Sequence, residues 1–288
     1  MGQHIRPNTI SGYYNDLRMK ADWKGKTDST GIPIITLSNG NTVYFPIHVA
    51  QMALGNYDLW LERNDVEHKR TFLRLADWLN QNINENGGWK NPWEFLRPTS
   101  ISNYSAMSQG EAISVLIRAY QITNDNSFIE SSEKAFKFLI LPVEEGGCTY
   151  YIDRQIYLEE YPEHPRSTVL NGYIFALFGV YDFVLVTGGE DVKRFFLDSV
   201  TTLEKSLHLY DTGFWTYYDQ LGTISSPFYH SLHISLLDAL YLITGRESFN
   251  SVSGKWSLYQ KNPLYKLRAI AAKVIQKLNN PANVTVKI

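Results

Sequence analysis

Three glycine turns at similar spacing divide the chain into repeating units. Gly88, Gly147 and Gly213 lie 59 and 66 residues apart, and a segment with helical periodicity precedes each of them. A spacing of about 60 residues accommodates two helices and their loops. The repeat therefore predicts a succession of helical hairpins, and it constrains the fold more than any other feature of the sequence.

Apolar residues recur every three or four positions along most of the chain after Pro46, which is the pattern of amphipathic helices. The segments with this pattern are 72–79, 113–120, 128–141, 168–186, 192–209, 230–243 and 264–278. Hairpins of this size close into a mainly α fold, the α/α toroid, whose inner helices surround a central pit. An open α-solenoid is the alternative, because the sequence does not show whether the ring closes.

The first 45 residues have a different character, because turn residues dominate them. Segments 32–37 and 41–45 flank an Asn39-Gly40 turn, which predicts a short β-hairpin. We therefore expect a hairpin-containing N-terminal extension at 1–45 and an α/α-barrel catalytic domain at 46–288.

Composition excludes several classes of protein. A single cysteine, Cys148, provides neither a disulfide framework nor a Cys-rich zinc site. The net charge of −2 gives no cationic field for nucleic acid. No apolar run reaches the roughly 18 residues of a membrane span, and the first residues lack the apolar core of a signal peptide. We expect no nucleic-acid partner, no membrane span and a cytoplasmic protein.

The densest cluster of polar residues is Glu159-Glu160-Tyr161, which precedes the helical segment that carries Asn171. Pro162 follows directly and keeps this loop out of a helix, so Glu160 and Tyr161 can be held rigidly at a helix entrance. The alternative is that the two glutamates are solvated loop charges and that Tyr161 is a packing residue.

Two further segments contain candidate functional residues. Tyr218 lies in an aromatic stretch after Gly213, and Tyr229 precedes His230 and His233 at a helix start. Two histidines three positions apart could hold a metal, but no anchoring carboxylate is evident, so we favour hydrogen-bonding or substrate-orienting roles. We expect no metal and no cofactor.

A fourth segment begins the helix around residue 108. Ser108 and Glu111 have the spacing of a capping box, which would account for both residues. Gln109 is not needed for that cap and is therefore a candidate for lining the pit.

These segments together resemble the heparosan/heparan sulfate D-glucuronyl C5-epimerase family. The matching blocks occur in the family's order over roughly residues 46–243: 87–89, 104–114 with 118–120, 157–162 with 169–172, 209–213 with 218–219, and 229–230 with 233–234. The resemblance implies an α/α-barrel domain that inverts C5 of D-glucuronate within a heparosan-like polysaccharide, giving L-iduronate. An anionic polysaccharide is the partner that it implies, and a homodimer is the assembly.

The resemblance also implies roles for individual residues. Inversion at a carbon α to a carboxylate requires a base on one face and an acid on the other. The implied catalytic residues are Glu160, Tyr161, Tyr218 and Tyr229, with Tyr229 opposite Glu160 or Tyr161. The candidates for holding the substrate are Gln109, Asn171, His230, His233 and an arginine among Arg97, Arg118 and Arg166.

Three other activities remain open at this point. A polysaccharide lyase removes the same C5 proton and then expels the 4-linked sugar. A glycoside hydrolase could use Glu160 with Asp211 or Asp219 as its carboxylate pair. A glycan-binding domain without catalysis is the third alternative.

Overall fold

The computed structural model describes residues 1–97 and 99–279, in which α-helices dominate. The helices are α1 Arg18–Ala21, α2 Pro46–Arg63, α3 Val66–Gln81, α4 Trp93–Leu96, α5 Ala106–Thr123, α6 Asn126–Leu139, α7 Leu170–Thr187, α8 Glu190–Ser206, α9 Pro227–Thr244, α10 Glu247–Lys261 and α11 Pro263–Asn279. The strands are β1 Lys26–Thr27, β2 Pro33–Thr36, β3 Thr42–Tyr44, β4 Thr149–Ile152 and β5 Gln155–Leu158.

The long helices form two layers. Helices α2, α5, α7 and α9 form the inner layer and contact one another in that order. Each inner helix also packs against the outer helix that follows it, namely α3, α6, α8 or α10. Helices α2, α5 and α7 each bury 14 of their 18 residues, whereas the outer helices bury one face only. This arrangement confirms the predicted α/α toroid of helical hairpins.

Two glycines allow α5 and α7 to approach closely. A Cβ atom on Gly110 of α5 would lie 2.5 Å from the Cα of Ala176, and one on Gly179 of α7 would lie 2.1 Å from the Gly110 carbonyl oxygen. Only residues without a side chain fit this contact. Next to it, the Ala106 amide donates to the Glu159 carbonyl at 2.8 Å, so the start of α5 also holds the loop that precedes α7.

The N-terminal segment contains the predicted hairpin. Strands β2 and β3 pair antiparallel, with Thr36 opposite Thr42, and β1 adds a third strand. The turn residue Gly40 has a φ of 85°, which glycine adopts without strain. Upstream of the sheet, Tyr13 is fully buried and its amide donates to Asp58 Oδ1 at 2.9 Å. The segment before Pro46 therefore shares the hydrophobic core of the helices.

Among the described residues, α7 is the one helix long and apolar enough to cross a membrane by length and composition, with a mean hydropathy of 1.5. However, 78% of this 18-residue stretch is buried inside the protein. It packs against α5, α8 and α9, as a core helix does.

Candidate active site

Glu160 lies in the loop between β5 and α7, against the first turn of α7. Its side chain is 5% exposed, and a Cβ on Gly172 would meet Glu160 Oε2 at 2.5 Å, so the glycine makes room for the carboxylate. Oε2 has no hydrogen-bond partner among the described residues. Burial raises the pKa of Glu160 to about 7, although the Tyr161 hydroxyl and the charge of Arg97 both act to lower it.

The neighbouring Glu159 is held differently. It is fully buried, the Thr168 amide donates to its Oε2 at 2.8 Å, and the Thr168 hydroxyl donates to its Oε1. Thr168 has a φ of 40°, an uncommon value for a residue with a side chain. Glu159 therefore anchors the loop, which leaves Glu160 as the carboxylate with a free oxygen.

Three half-buried tyrosines continue from Glu160 in a row. The Tyr161 hydroxyl interacts with both Glu160 and Tyr218, and the rings of Tyr218 and Tyr229 meet edge to face with centroids 4.8 Å apart. Burial, followed by the negative charge of Glu160, raises the pKa of all three phenols above the usual value. The four residues with implied catalytic roles therefore lie together, and their phenols stay protonated at neutral pH.

Backbone contacts fix the second half of this row. The carbonyl of Tyr218 accepts from the Leu170 amide at 3.0 Å, which ties its loop to the start of α7. Tyr229 lies in the first turn of α9, where its amide donates to Oγ of the N-cap residue Ser226 at 3.3 Å. Each side chain of the row is thus placed by the N-terminal end of an inner helix or by a loop attached to one.

Of the three arginines that are candidates for holding the substrate, Arg97 is the one that adjoins this cluster. Its guanidinium lies 4.0 Å from the centre of the Tyr161 ring and donates to both carboxylate oxygens of Glu163, at 2.7 and 3.1 Å. Next to it is a cavity of about 160 Å³ with mostly aromatic walls. The residues that line the cavity are Ile35, Phe45, His48, Trp93, Leu96, Arg97 and Tyr161.

The other two arginines lie elsewhere. Arg118 is fully buried, where it pairs with Asp182 at 2.6 Å and donates to the Ser114 carbonyl at 3.0 Å. Its other groups donate to the N-terminal segment, so it joins that segment to α5 and α7. Arg166 stacks on Tyr157 at 3.6 Å and donates to Gln220 Oε1 at 2.9 Å, which places it beside the Glu159 anchor.

Both histidines lie on α9, are fully buried and contact the loop that carries Tyr218. His230 stacks on Trp215 with centroids 3.7 Å apart, and its ring nitrogens lie 3.0 Å from Thr216 Oγ1 and 3.1 Å from the Trp256 carbonyl. His233 Nδ1 lies 3.2 Å from the same threonine oxygen. Burial lowers the pKa of His230 to about 4 and that of His233 to about 3, so both are neutral. They fasten the loop to α9.

The two predicted amide residues differ in position. Gln109 is fully buried and donates to the Gly87 carbonyl at 2.8 Å, while its oxygen accepts from the Trp89 amide at 3.1 Å. It therefore braces the first glycine turn. Asn171 lies beside Gly172 at the start of α7, 3% exposed, and its Oδ1 has no partner among the described residues. Asn171 is the amide placed next to Glu160.

Glu111 is a candidate that the sequence did not reveal, because the capping-box interpretation was wrong. The N-cap of α5 is Ser105, whose Oγ accepts from the Ser108 amide at 3.4 Å, so Glu111 lies inside the helix. It is fully buried; Gln51 Nε2 donates to its Oε1 at 3.0 Å, and its Oε2 has no described partner. Burial, together with the charge of Glu160, raises its pKa to about 8. The sequence signal that could have identified Glu111 was the pair of polar residues, Gln51 and Glu111, on two inner helices.

Comparison with known proteins decides the family. The model for the D-glucuronyl C5-epimerase C-terminus matches residues 82–258 of this chain. The chain belongs to this family. The match includes Glu160, Tyr161, Tyr218 and Tyr229, and it confirms the resemblance found in the sequence.

A curated relative agrees with membership of the D-glucuronyl C5-epimerase family. A D-glucuronyl C5-epimerase of Caenorhabditis elegans is 33% identical over 221 residues, which are 67% of this chain and 35% of the relative. An uncharacterised protein of Methanocaldococcus jannaschii is 31% identical over 173 residues, 58% of this chain and 56% of that protein. The chain therefore spans between a third and just over half of the length of these relatives.

The solved structure of a cellobiose 2-epimerase from Bacillus thermoamylovorans has a TM-score of 0.57 to this chain at 11% identity. The similarity covers 85% of this chain and 71% of that one. At so low an identity, the likeness shows the shared α/α-toroid fold alone.

Proposed function

We propose that this chain is an epimerase that inverts C5 of D-glucuronate residues in a heparosan-like polysaccharide, giving L-iduronate. The observation that carries the proposal is the convergence of Glu160, Tyr161, Tyr218 and Tyr229 in one row within a chain of the C5-epimerase family.

Removal of the C5 proton needs a base, and within the row Glu160 has the pKa best suited to supply one. Its pKa of about 7 lies near neutral pH, whereas the phenols of the cluster are too weakly acidic to ionise there unaided. Glu160 is almost fully buried, whereas Tyr161, whose hydroxyl interacts with it, is only half-buried. In our mechanism, Tyr161 takes the C5 proton while it passes its own hydroxyl proton to Glu160.

Tyr229 then reprotonates C5 from the opposite face. Its raised pKa keeps the phenol protonated, so it can donate to C5 of the enediolate. Tyr218 lies between Tyr161 and Tyr229 and is placed to donate a hydrogen bond to the enediolate oxygen as negative charge develops. For the conversion of iduronate back to glucuronate, the acid and base roles exchange.

The substrate carboxylate requires a positive charge beside this row. Arg97 supplies one, because 34% of its side chain is exposed while Glu163 and the Tyr161 ring hold the guanidinium in place. The unpartnered Oδ1 of Asn171 is available for a sugar hydroxyl. The aromatic walls of the adjoining cavity suit the apolar face of a neighbouring sugar ring.

The test is incubation of a glucuronate polymer with the protein in deuterated water. We expect deuterium at C5 of newly formed iduronate, measured by NMR, with no change in chain length. A lyase would instead produce the ultraviolet absorbance of an unsaturated uronate and shorten the polymer. A glycoside hydrolase would release reducing ends, and a binding domain would retain the polymer with no deuterium at C5. Any of these three results contradicts the proposal.

A further inference from the structure

The last described helix, α11, exposes an apolar face. The side chains on this face and their exposed fractions are Leu264 72%, Leu267 64%, Ile270 42%, Val274 51%, Ile275 58% and Leu278 76%. At 100° per residue these six positions fall within an arc of about 140°. Ala269, which is 2% exposed, lies on the other side of the helix. Helix α11 therefore buries one face in the protein and presents a second apolar face, which we call the outer face, to solvent.

The inward side of α11 is firmly attached. Gln276 donates to the Gly222 carbonyl at 2.9 Å and accepts from the Ile224 amide at 2.9 Å. At one edge of the helix, the exposed side chain of Arg268 packs its guanidinium 3.9 Å from the centre of the Phe214 ring. These contacts fix the rotation of the helix about its axis, so the exposure of the outer face follows from how α11 is docked.

Charge on α11 has one sign only. The helix contains Lys266, Arg268, Lys273 and Lys277 and no acidic residue, although the whole chain has a net charge of −2. By helical geometry, Lys266 and Lys277 lie along one edge of the outer face and Arg268 lies along the other. The outer face is thus an apolar surface with cationic edges.

We propose that the outer face of α11 binds peripherally to an anionic lipid surface. Exposed leucine and isoleucine side chains bordered by lysine and arginine are the features of a helix that lies in a membrane interface, where the apolar groups enter the acyl region and the cations meet lipid phosphates. This inference is independent of the proposed epimerase activity.

Two other partners fit the outer face less well. A second copy of the chain that packed its own outer face here would bring cationic edges of the same sign together. An anionic polysaccharide would neutralise the lysines but leave the six apolar side chains in water. An anionic lipid surface would take the apolar side chains of the outer face out of water and pair with the cations at its edges.

The experiment is flotation of the full chain with vesicles of phosphatidylcholine mixed with phosphatidylserine, and with vesicles of phosphatidylcholine alone. We expect binding to the mixed vesicles that weakens as salt is added. The double variant Leu267→Gln/Leu278→Gln should bind at least about tenfold more weakly, and Lys266→Gln/Lys277→Gln should lose about fivefold per lysine. Leu258→Gln on α10 is the matched control, because Leu258 is 67% exposed but lies outside the outer face.

Thermal unfolding and light scattering complete the test. All substituted side chains are exposed, so the variants should melt with the wild-type protein. The proposal is overturned if the wild-type chain ignores the mixed vesicles, or if the double leucine variant binds them equally well. It is also overturned if light scattering shows a wild-type dimer that the leucine variant converts to a monomer, because a second copy would then cover the outer face.

Discussion

Gly172→Ala tests whether the contact between Glu160 and α7 sets the position of the carboxylate that we propose as the base. The added methyl group would lie 2.5 Å from Glu160 Oε2, 2.6 Å from its Cβ and 3.1 Å from its Cδ. All three distances are shorter than a normal van der Waals contact, and the Cβ cannot move without the loop backbone. The carboxylate must therefore shift away from the start of α7.

The expected cost in stability is about 1–3 kcal/mol, which is typical of an extra methyl group in a packed site. Gly172 lies inside a helix, where alanine is intrinsically favoured by up to about 1 kcal/mol, so the net loss lies toward the lower end. Gly254→Ala in α10 is the matched control, because no described residue lies within 4 Å of the Cβ that it would add. That variant should gain up to about 1 kcal/mol.

The assay compares urea unfolding with the rate of deuterium uptake at C5 for both variants. Because Glu160 would lose its place behind Tyr161, Gly172→Ala should lose at least about tenfold in C5 exchange when fully folded, since small displacements of reacting groups cost rates of this size. Gly254→Ala should exchange at the wild-type rate. If Gly172→Ala is folded and exchanges as fast as wild type, the position of Glu160 has no part in the reaction.

Three further predictions concern charged residues. In the folded state the pKa of Glu111 is about 8, above its ordinary value of 4.5, so folding favours the protonated carboxyl. The free energy of unfolding should therefore fall as pH rises from about 4.5 to about 8. Glu111→Gln should remove this decline and be more stable than wild type by a few kcal/mol at about pH 8 but not at about pH 5, as measured by urea unfolding. Arg97→Lys keeps the charge but loses the paired contact with Glu163 and the stacking on Tyr161. The rate of C5 exchange should therefore fall by about tenfold, with an unchanged fold in circular dichroism. Full activity would exclude Arg97 from the site. Arg118→Met leaves Asp182 buried without its cationic partner and should cost about 3–5 kcal/mol in unfolding free energy. The KM of the folded fraction should be unchanged. A raised KM would indicate that Arg118 binds the substrate.

The pattern of glycine turns and helical periodicity was sufficient to predict the fold class. Segments 128–141, 168–186 and 264–278 correspond to α6, α7 and α11 within two residues at each end. Helix α10 was not identified, because Ser, Asn, Gly and Lys interrupt its apolar pattern. The pairing of α5 with α7 through Gly110 depends on a contact distant in sequence, which local periodicity does not contain.

Within the candidate site, the sequence indicated which residues lie together better than it indicated their surroundings. The row from Glu160 to Tyr229 came from ordered motifs, and the structure brings its members together. His230, His233 and Gln109 also lie near helix starts, but tertiary packing directs most of their polar atoms to backbone and threonine partners. The direction in which a polar side chain faces is set by burial, and sequence spacing alone does not determine it.

Isotope exchange by Tyr229→Phe tests the two-sided mechanism most directly. In deuterated water with a glucuronate polymer, we expect this variant still to place deuterium at C5 of glucuronate, because Glu160 and Tyr161 remain on their own face. Iduronate formation should fall by about 10²–10⁴-fold, since the acid on the other face is gone. Tyr241→Phe, on the same helix but hydrogen-bonded to Glu247, is the matched control and should resemble wild type. Iduronate formation by Tyr229→Phe at the wild-type rate would contradict the account.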